Sequence, residues 1–446
     1  MKSLLHKLIN DQSWAAQLEA LATGAPASAP ISISRPLAGT SADWLSLLPE
    51  NAPFWYRARP QQGEFRLGIG HALHLGTAGS NRFAALDNAF QGLCQEWRHE
   101  GSAYAFAGFA FDPETHDGLP NALLAIPSIL LTSINGQNSV TLTIPAARRD
   151  QARATWLELI AQPAIARPVR RLPGRPETLA EQAWMARVRA ALREIEKGTL
   201  DKLVLSRQRS IQASAPFSAT TILRNLIDCQ PDSLIYAHGQ GEQTFLGASP
   251  ERLLRLQNGE VEADALAGTA WAESPSLSDP KNRHEQSLVV DAIIDALAPL
   301  CQTRPQAGAP TEHPAGQLRH LRSRISARIK EQTTLFDLVR ALHPTPAVGG
   351  FPGPAARHWL KQHGERRPSW YSGAFGLLDS NGEGEFSVAL RSAQINGCMA
   401  EFHAGAGIVA GSDPQQELAE TEAKLSTLLS AFAAPETPPL TGTLHD

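Results

Sequence analysis

Two Asn-Gly pairs constrain the fold of this 446-residue chain more than any other feature. An Asn-Gly pair between two strand-like runs predicts a tight hairpin, because both central residues of a type I′ turn need positive φ. The first pair, Asn258-Gly259, predicts an antiparallel hairpin within residues 252–267. Counting back from this turn sets Glu251 opposite Leu266.

The second pair, Asn396-Gly397, predicts another antiparallel hairpin near the end of the chain. The same count sets Arg391 opposite Phe402 and leaves the glycines of residues 404–411 at the far end of the second strand. Two long hairpins of this kind require at least one extended antiparallel sheet.

Other short strand-like runs precede these hairpins, and a helical pattern over residues 178–198 is followed by a strand predicted from Lys202 to about Gln212. The earlier runs cover residues 65–75, 104–111, 129–134 and 140–144. Hairpins mixed with helices are typical of α+β proteins with large antiparallel sheets, and this is the fold class that we predict.

One change in composition divides the chain. Residues 163–177 contain four prolines and four arginines with little periodicity, which predicts a linker or a long surface crossing. This segment separates an N-terminal lobe, residues 1–162, from a larger region, residues 178–435, and residues 436–446 form a C-terminal tail.

Charge, cysteine usage and hydropathy exclude several classes of protein. The formal net charge of −4 provides no basic face for a nucleic acid. The four cysteines are dispersed without a C-x-x-C motif, as is usual in a reducing compartment. The longest apolar run, residues 123–134, is interrupted by Pro127 and is too short to span a membrane. Residues 1–21 resemble an amphipathic helix and not a signal peptide, so we expect a cytoplasmic protein.

A loop rich in proline and glycine, residues 342–351, contains His343 and Thr345 between its prolines. Such a composition predicts a rigid loop whose backbone and small side chains line a site. The alternative is a simple turn between helices.

Lys202 is the first candidate catalytic residue. In a strand, Lys202, Val204 and Ser206 would share one face, and partial burial would favour the neutral amine that can act as a base. The alternative is a strand-end lysine whose ammonium group reaches water.

Glu251 follows a Gly-Ala-Ser-Pro bend and is the candidate general acid. Because its neighbours along the predicted strand are polar, a solvated hairpin edge is the alternative.

Two predicted helix starts carry acidic residues. Ser412-Asp413-Pro414 opens a helix whose residues Glu417, Glu420 and Lys424 share one face. Asp279-Pro280 opens another helix, which carries Asn282 and Glu285 on one face. Carboxylates from two helix starts provide the hard oxygen ligands that Mg²⁺ prefers. The alternative is that these acids only complement the helix dipoles.

Arg391 lies in a run of small, apolar residues, so we expect it to have an anionic partner. A planar guanidinium can bind both oxygens of a carboxylate. The Gly-rich run of residues 404–411, which includes Gly405, could bring backbone N–H groups close to a second carboxylate. Close packing between strands would explain the same glycines.

Taken in order, these segments resemble the chorismate-utilising enzymes, and most closely the isochorismate synthases. The resemblance covers roughly residues 178–429, and residues around 54–56 and 108–112 match only loosely. It is carried by residues 203–207, 247–252, 265–269, 343–346, 388–392 and 404–409 with Lys424. The family's fold implies antiparallel sheets that form a sandwich-like core with helices packed outside.

The resemblance also implies roles for the candidate residues. Lys202 would activate water for addition at C2 of chorismate, and Glu251 would protonate the hydroxyl that leaves C4. Glu285 and Glu420 would bind Mg²⁺ directly, with Glu417 in support through water. The substrate-binding set would be Gly268, Thr269, His343, Arg391, Gly405 and Lys424.

Within the family, the lysine at position 202 disfavours the enzymes that make anthranilate, and Ala267 disfavours aminodeoxychorismate synthases. Salicylate synthases, which continue to pyruvate elimination, remain an alternative, as does a chorismate-binding subunit without turnover. We expect no obligatory glutaminase subunit and a monomer, with isochorismate used for menaquinone or for siderophore-type aryl acids.

Two departures from the family pattern concern the metal. The segment of residues 270–284 is shorter than usual, and Asn282 stands where many members have a carboxylate. Gln286 also follows Glu285 where histidine is common. We expect these differences to weaken Mg²⁺ binding modestly and to leave activity intact.

Overall fold

A computed structural model describes residues 1–11, 13–39, 41–161, 163–164, 170–172, 177–271, 273, 277, 280–315 and 318–433. The predicted linker and the shortened segment before Glu285 therefore fall only partly within it. Asp279 and the predicted tail, residues 436–446, lie outside the described residues.

Helices in the described part of the chain begin and end as follows: α1 Lys2–Ile9, α2 Ser13–Ala22, α3 Arg82–Glu96, α4 Ala152–Ala161, α5 Thr178–Glu196, α6 Ala219–Cys229, α7 Pro280–Leu297, α8 Leu335–Leu342, α9 Gly353–Gln362 and α10 Pro414–Leu429. Short 3₁₀ helices cover Ser41–Leu47, Pro60–Gln62, Ala146–Gln151, Ala298–Leu300 and Ser430–Phe432. The predicted N-terminal helix is thus two helices, α1 and α2. None of these helices is both long and apolar enough to cross a membrane.

The strands are β1 Pro30–Pro36, β2 Phe54–Arg59, β3 Glu64–Ile69, β4 Leu73–Thr77, β5 Arg98–Glu100, β6 Tyr104–Phe109, β7 Ala122–Ile126, β8 Ile129–Ile134, β9 Gln137–Pro145, β10 Lys202–Gln212, β11 Leu234–Gln240, β12 Gln243–Ser249, β13 Arg252–Gln257, β14 Glu260–Trp271, β15 Gln306–Ala307, β16 Thr311–Ala315, β17 Leu318–Arg328, β18 Gly350–Phe351, β19 Ala374–Asp379, β20 Gly384–Val388, β21 Ser392–Asn396 and β22 Met399–Val409.

These strands form two large sheets that are antiparallel apart from the β1–β5 pair. Sheet I has the order β18-β10-β22-β21-β12-β11-β2-β3-β8-β9-β1-β5. Sheet II has the order β15-β17-β14-β13-β20-β19-β6-β7-β4, with β16 paired to β17. The predicted α+β class is confirmed, and both sheets contain strands from either side of residues 163–177.

Buried side chains fill the space between the sheets and beneath the helices. An aromatic layer between the sheets includes Trp55, Phe106 and Trp370, each essentially inaccessible to solvent. The ring of Trp55 stacks on that of Trp370 with centroids 5.6 Å apart. A second core covers the outer face of sheet II beneath α3, α7 and α8. Stacked and edge contacts of this kind hold the two sheets at a fixed separation.

The first predicted hairpin is confirmed close to its turn. Gln257 pairs with Glu260 in the β13–β14 ladder, and Asn258 and Gly259 have positive φ of 54° and 72°. The continuation to Glu251 is wrong, because Glu251 lies just before β13 and outside the ladder.

The second predicted hairpin exists, but its turn lies one residue further along the chain, so that the partner of each residue is shifted by two. Asn396 pairs with Met399, so the turn residues are Gly397 and Cys398, and Ala393 faces Phe402. Gly397 has a φ of 55° at the first central position, which is where a type II′ turn places its glycine. Asn396 therefore stays in the strand.

Candidate active site

A cavity that is partly open to solvent lies where the two sheets meet the N-terminal turns of α7 and α10. Lys202 and Val204 face it from β10, and Gly405 and Gly407 face it from the neighbouring β22. The remaining lining residues are Pro250, Glu251, Leu266, Ala267, Gly268, Thr269, Glu285, His320, Ala347, Val348, Tyr371, Ser372, Leu390, Arg391, Ala404, Glu420 and Lys424.

Glu251 and Arg391 lie in two neighbouring corners, at which the chain crosses from one sheet to the other. Between β12 and β13 the chain passes from sheet I to sheet II through Pro250-Glu251, and between β20 and β21 it returns through residues 389–391. The corners are joined, because the Ser249 hydroxyl donates to the Val388 carbonyl (2.6 Å) and Val388 N–H donates to the Glu251 carbonyl (3.0 Å). An acid and a guanidinium are therefore set at one edge of the cavity by backbone geometry.

Glu251 is a buried acid and not part of a solvated hairpin edge, since it is only 4% exposed. Burial raises the pKa of Glu251 to about 8, and the charges of Lys202 and Lys424 only partly oppose this effect. The nearby carboxyl of Asp264 raises this pKa further. Glu251 is therefore protonated at neutral pH, as a general acid must be.

Arg391 differs from its predicted setting, because it lies in the corner between β20 and β21 and not in a strand. Its φ of 47° is unusual for a residue other than glycine. One guanidinium nitrogen donates to Nε2 of His320 (3.2 Å), while Nη1 is buried and finds no hydrogen-bond partner among the described residues. A buried donor without an acceptor is costly, so this nitrogen is suited to an anionic ligand.

Lys202 is buried, with 1% exposure, so it is not a strand-end lysine that reaches water. Its Nζ lies 2.8 Å from Oε1 of Glu285 on α7, and the other carboxylate oxygen accepts from Gly268 N–H (3.2 Å). Gly407 leaves room for this pair, because a Cβ there would stand 2.6 Å from Oε1 of Glu285 and 2.9 Å from Cε of Lys202. A side chain at position 407 would therefore displace the lysine, the carboxylate or both.

Helix α10 contributes the second carboxylate of the cavity. Asp413 caps this helix by accepting from the N–H groups of Gln415 and Gln416, as its Asp-Pro start predicts. Glu420 accepts from Nζ of Lys424 (2.6 Å) and from the Thr269 hydroxyl (3.2 Å). Lys424 also donates to the carbonyl of Gly405 (2.9 Å), which ties α10 to β22.

Glu417, one helical turn before Glu420, lines an adjoining cavity and not the main one. Burial and the charge of Glu420 raise the pKa of Glu417, against the opposing charge of Lys281. Nζ of Lys281, from the first turn of α7, lies 3.0 Å from Oε1 of Glu417. Burial by itself would lower the pKa of Lys281, but the carboxylates of Glu417, Glu285 and Glu420 outweigh it and raise that pKa.

The donor chemistry of Glu285, Glu417 and Glu420 fits a magnesium ion, because all three supply carboxylate oxygens and each now neutralises an ammonium group. Among the described residues, no three His, Cys, Asp or Glu side chains stand close enough together to enclose a metal by themselves. An ion bound here would take further oxygens from water or from a ligand, as Mg²⁺ commonly does.

His343 is not brought into the cavity. Its ring packs edge-on against Phe109 at 4.9 Å between centroids, and its Nε2 lies 3.3 Å from the Phe111 carbonyl. Burial lowers the pKa of His343 to about 3, so the ring is neutral. Residues 342–351 were predicted to line a site, and Ala347 and Val348 of this loop do line the cavity. His343 anchors the loop from behind, since its surroundings are apolar and its hydrogen bond goes to the backbone.

His320 and Tyr371 also line the cavity, and neither was predicted from the sequence. His320, on β17, donates from Nδ1 to the Gly268 carbonyl (3.2 Å), which leaves Nε2 to accept from Arg391. The alternation of β17 could have indicated an inward-facing histidine beside the predicted Gly-Thr turn. No local pattern marks Tyr371, which lies in a loop and contacts the position of Gly405, where a Cβ would stand 3.0 Å from its hydroxyl.

Comparisons with known proteins agree with this architecture. A salicylate biosynthesis isochorismate synthase of Pseudomonas aeruginosa is 32% identical over 408 residues, which is 86% of this chain and 85% of that protein. The isochorismate synthase MenF of Escherichia coli is 31% identical over 372 residues, covering 78% of this chain and 82% of its own.

Solved structures show the same fold. The structure of MenF, the menaquinone-specific isochorismate synthase from Escherichia coli, superposes with a TM-score of 0.78 at 25% identity, covering 95% of this chain and 100% of its own. Anthranilate synthase component I from Streptococcus pneumoniae, at 20% identity and a TM-score of 0.67 over 82% of this chain and 92% of its own, shares the fold. The family described as chorismate binding enzyme matches residues 20–433, and this chain therefore belongs to the chorismate-binding enzymes.

Proposed function

We propose that this protein is an isomerase that interconverts chorismate and isochorismate. The observation that carries the proposal is the placement of Lys202 and Glu251 on one cavity, from different elements, with the pKa of Glu251 raised to about 8. A reaction that adds water at one carbon while a hydroxyl leaves another needs a base and a protonated acid together.

In the free protein the ammonium group of Lys202 pairs with Glu285. In the forward direction it must first lose a proton, and the neutral amine then takes a proton from the water whose oxygen bonds to C2. Both ring double bonds shift, from C1=C2 to C1=C6 and from C5=C6 to C4=C5, the C4–O bond breaks, and Glu251 gives its proton to the departing hydroxyl, which leaves as water. One water enters and one leaves, so the exchange is balanced. In the reverse direction the two side chains exchange roles.

The substrate carries two carboxylates, and the cavity provides separate groups for them. The unpartnered Nη1 of Arg391 would bind the pyruvyl carboxylate together with the backbone at Gly405. Thr269 and Lys424 line the same cavity beside Glu420 and complete its polar surround.

Glu285 and Glu420 would hold a magnesium ion at the cavity, with Glu417 in support from the adjoining one. When bound, magnesium would neutralise the ring carboxylate and orient the substrate. The contact between Lys202 and Glu285 supports this assignment, since a carboxylate of the cavity lies beside the proposed base.

The pathway, the cellular compartment and the oligomeric state are also part of the proposal. The names of the similar proteins include both menaquinone and salicylate biosynthesis, and the isochorismate could serve either kind of route. The four cysteines are free, which supports a cytoplasmic setting. We propose a monomer that acts without a glutaminase subunit.

A product assay tests the function. Purified protein is incubated with chorismate and Mg²⁺, and the quenched mixture is separated by chromatography, with Lys202→Ala as the matched inactive variant. We expect a steady ratio of chorismate to isochorismate that is the same from either starting compound. Salicylate with pyruvate would instead favour a salicylate synthase. Unchanged chorismate, or full activity of Lys202→Ala, would contradict the proposed mechanism.

A further inference from the structure

Lys281 contacts the carboxylate of Glu417 from the side that faces solvent. It links the first turn of α7 to the first turn of α10 through Glu417, at 3.0 Å between Nζ and Oε1. The Glu417 side chain is 4% exposed and that of Lys281 is 35% exposed. The ammonium group therefore lies between a buried carboxylate and solvent.

The cavity on this outer side adjoins the active site. Lys281, Glu417 and Trp271 line it, and Thr269 and Glu420 line both it and the active-site cavity. Lys281 and Glu417 therefore face the same outer cavity.

Among the described residues around the two cavities, each ionised carboxylate already has a cationic partner. Each of the three carboxylates is paired with one lysine: Glu285 with Lys202, Glu417 with Lys281 and Glu420 with Lys424. With Arg391 added and Glu251 protonated, the described side chains hold one positive charge in excess. A divalent cation is disfavoured there until an anionic ligand enters with it.

We propose that Lys281 acts as an internal cation that occupies Glu417 in the absence of metal, and thereby makes Mg²⁺ binding depend on the dicarboxylate substrate. The inference rests on the proposed function, because it takes Glu417 as a metal-supporting carboxylate. Lys281 is a residue that sets metal affinity and does not touch the reacting atoms.

Two consequences follow from the charge of Lys281. Its removal relieves both the competition for Glu417 and the repulsion of the metal, so Mg²⁺ should bind roughly tenfold more tightly without substrate. Because coupling between two ligands is reciprocal, the increase in Mg²⁺ affinity caused by chorismate should shrink in the same variant.

The test measures Mg²⁺ binding by calorimetry in the Glu251→Gln background, so that chorismate is not consumed. Lys281→Gln removes the charge and keeps a donor for Glu417, and Lys281→Met serves if the amide perturbs folding. Arg283→Gln is the matched control, because Arg283 is an exposed cation two residues further along α7. Thermal unfolding with and without Mg²⁺ provides a second reading.

We expect tighter Mg²⁺ binding and weaker coupling to chorismate for Lys281→Gln, with Arg283→Gln like the parent. Unchanged or weaker Mg²⁺ binding by both Lys281 variants would overturn the inference, and so would equal tightening in Arg283→Gln. If the parent binds Mg²⁺ and the Lys281 variants bind it with the same affinity, only the role of Lys281 is refuted. Absence of Mg²⁺ binding in every protein would refute the metal assignment itself, whereas the product assay tests the isomerase reaction separately.

Discussion

Lys202 and Glu285 form an ion pair of 2.8 Å between Nζ and Oε1, and both side chains line the active-site cavity. The pair joins β10 of sheet I to α7, which packs on sheet II. One carboxylate thus contacts the candidate base and is also a candidate metal ligand. Any change that displaces Glu285 should affect both the proton transfer and the metal.

Glu251→Gln should abolish turnover while chorismate still binds. Glutamine keeps the shape of the side chain but cannot give a proton to the leaving hydroxyl, and general acid catalysis is worth on the order of a thousandfold. In the parent enzyme, the forward rate should fall as pH rises through about 8, because Glu251 then loses its proton. Rate measurements from pH 6 to pH 10, with binding followed by calorimetry, check both points.

The same substitution should change the pH dependence of stability. The folded-state pKa of Glu251 is about 8 against an ordinary value of 4.5, so the folded protein binds the proton more tightly than the unfolded chain. Its contribution to stability is present at low pH and is lost as pH rises between these values. Glu251→Gln should therefore unfold at a higher temperature than the parent at pH 9. If the difference in unfolding temperature between Glu251→Gln and the parent is the same at pH 5 and at pH 9, the assigned pKa is contradicted.

Arg391→Lys should raise KM for chorismate by roughly tenfold or more, with a smaller effect on kcat. Lysine keeps the charge but loses the fork of donors, one of which has no partner among the residues that the structure describes. Steady-state kinetics measure this effect, and Arg283→Lys, on exposed helix surface, is the matched control. Equal KM values for Arg391→Lys and the parent would exclude the assigned contact with the carboxylate.

Removal of Mg²⁺ with excess EDTA should reduce the rate to background, and added Mg²⁺ should restore it. Glu420→Gln should raise the Mg²⁺ concentration for half-maximal activity by about tenfold or more, since a full charge is lost at the ion. Glu422→Gln is the matched control, because Glu422 on the same helix pairs with Arg207 and Arg209 away from the cavity. Full activity in EDTA would refute the metal site.

Gly407→Ala should lower kcat by roughly a hundredfold while the protein remains folded. The new Cβ would stand 2.6 Å from Oε1 of Glu285, so the ion pair with Lys202 must shift. Gly92→Ala, in α3 and with nothing within 4 Å of its Cβ position, should leave activity unchanged. Rates and thermal unfolding of both variants decide the point, and an active Gly407→Ala enzyme would show that the site tolerates the displacement.

Local sequence patterns correctly predicted those elements whose conformation depends on neighbouring residues. The Asn258-Gly259 turn, the strand that begins at Lys202 and the Asp413 cap of α10 agree with the structure, because turn conformation, alternation and capping depend on neighbouring residues. The turn near Asn396 was misplaced by one residue, since one glycine can serve either of two hairpin turns.

The sequence by itself determined the fold class, the family resemblance and most of the side chains that meet at the cavity, including Lys202, Glu251 and Glu285. Only the tertiary structure decided which of them touch. The sheet-to-sheet corners place Glu251 and Arg391 together, burial keeps Glu251 protonated, and apolar packing removes His343 from the cavity. These properties depend on residues far apart in the chain, because distance, burial and charge are set by the packing of whole sheets and helices and not by local sequence.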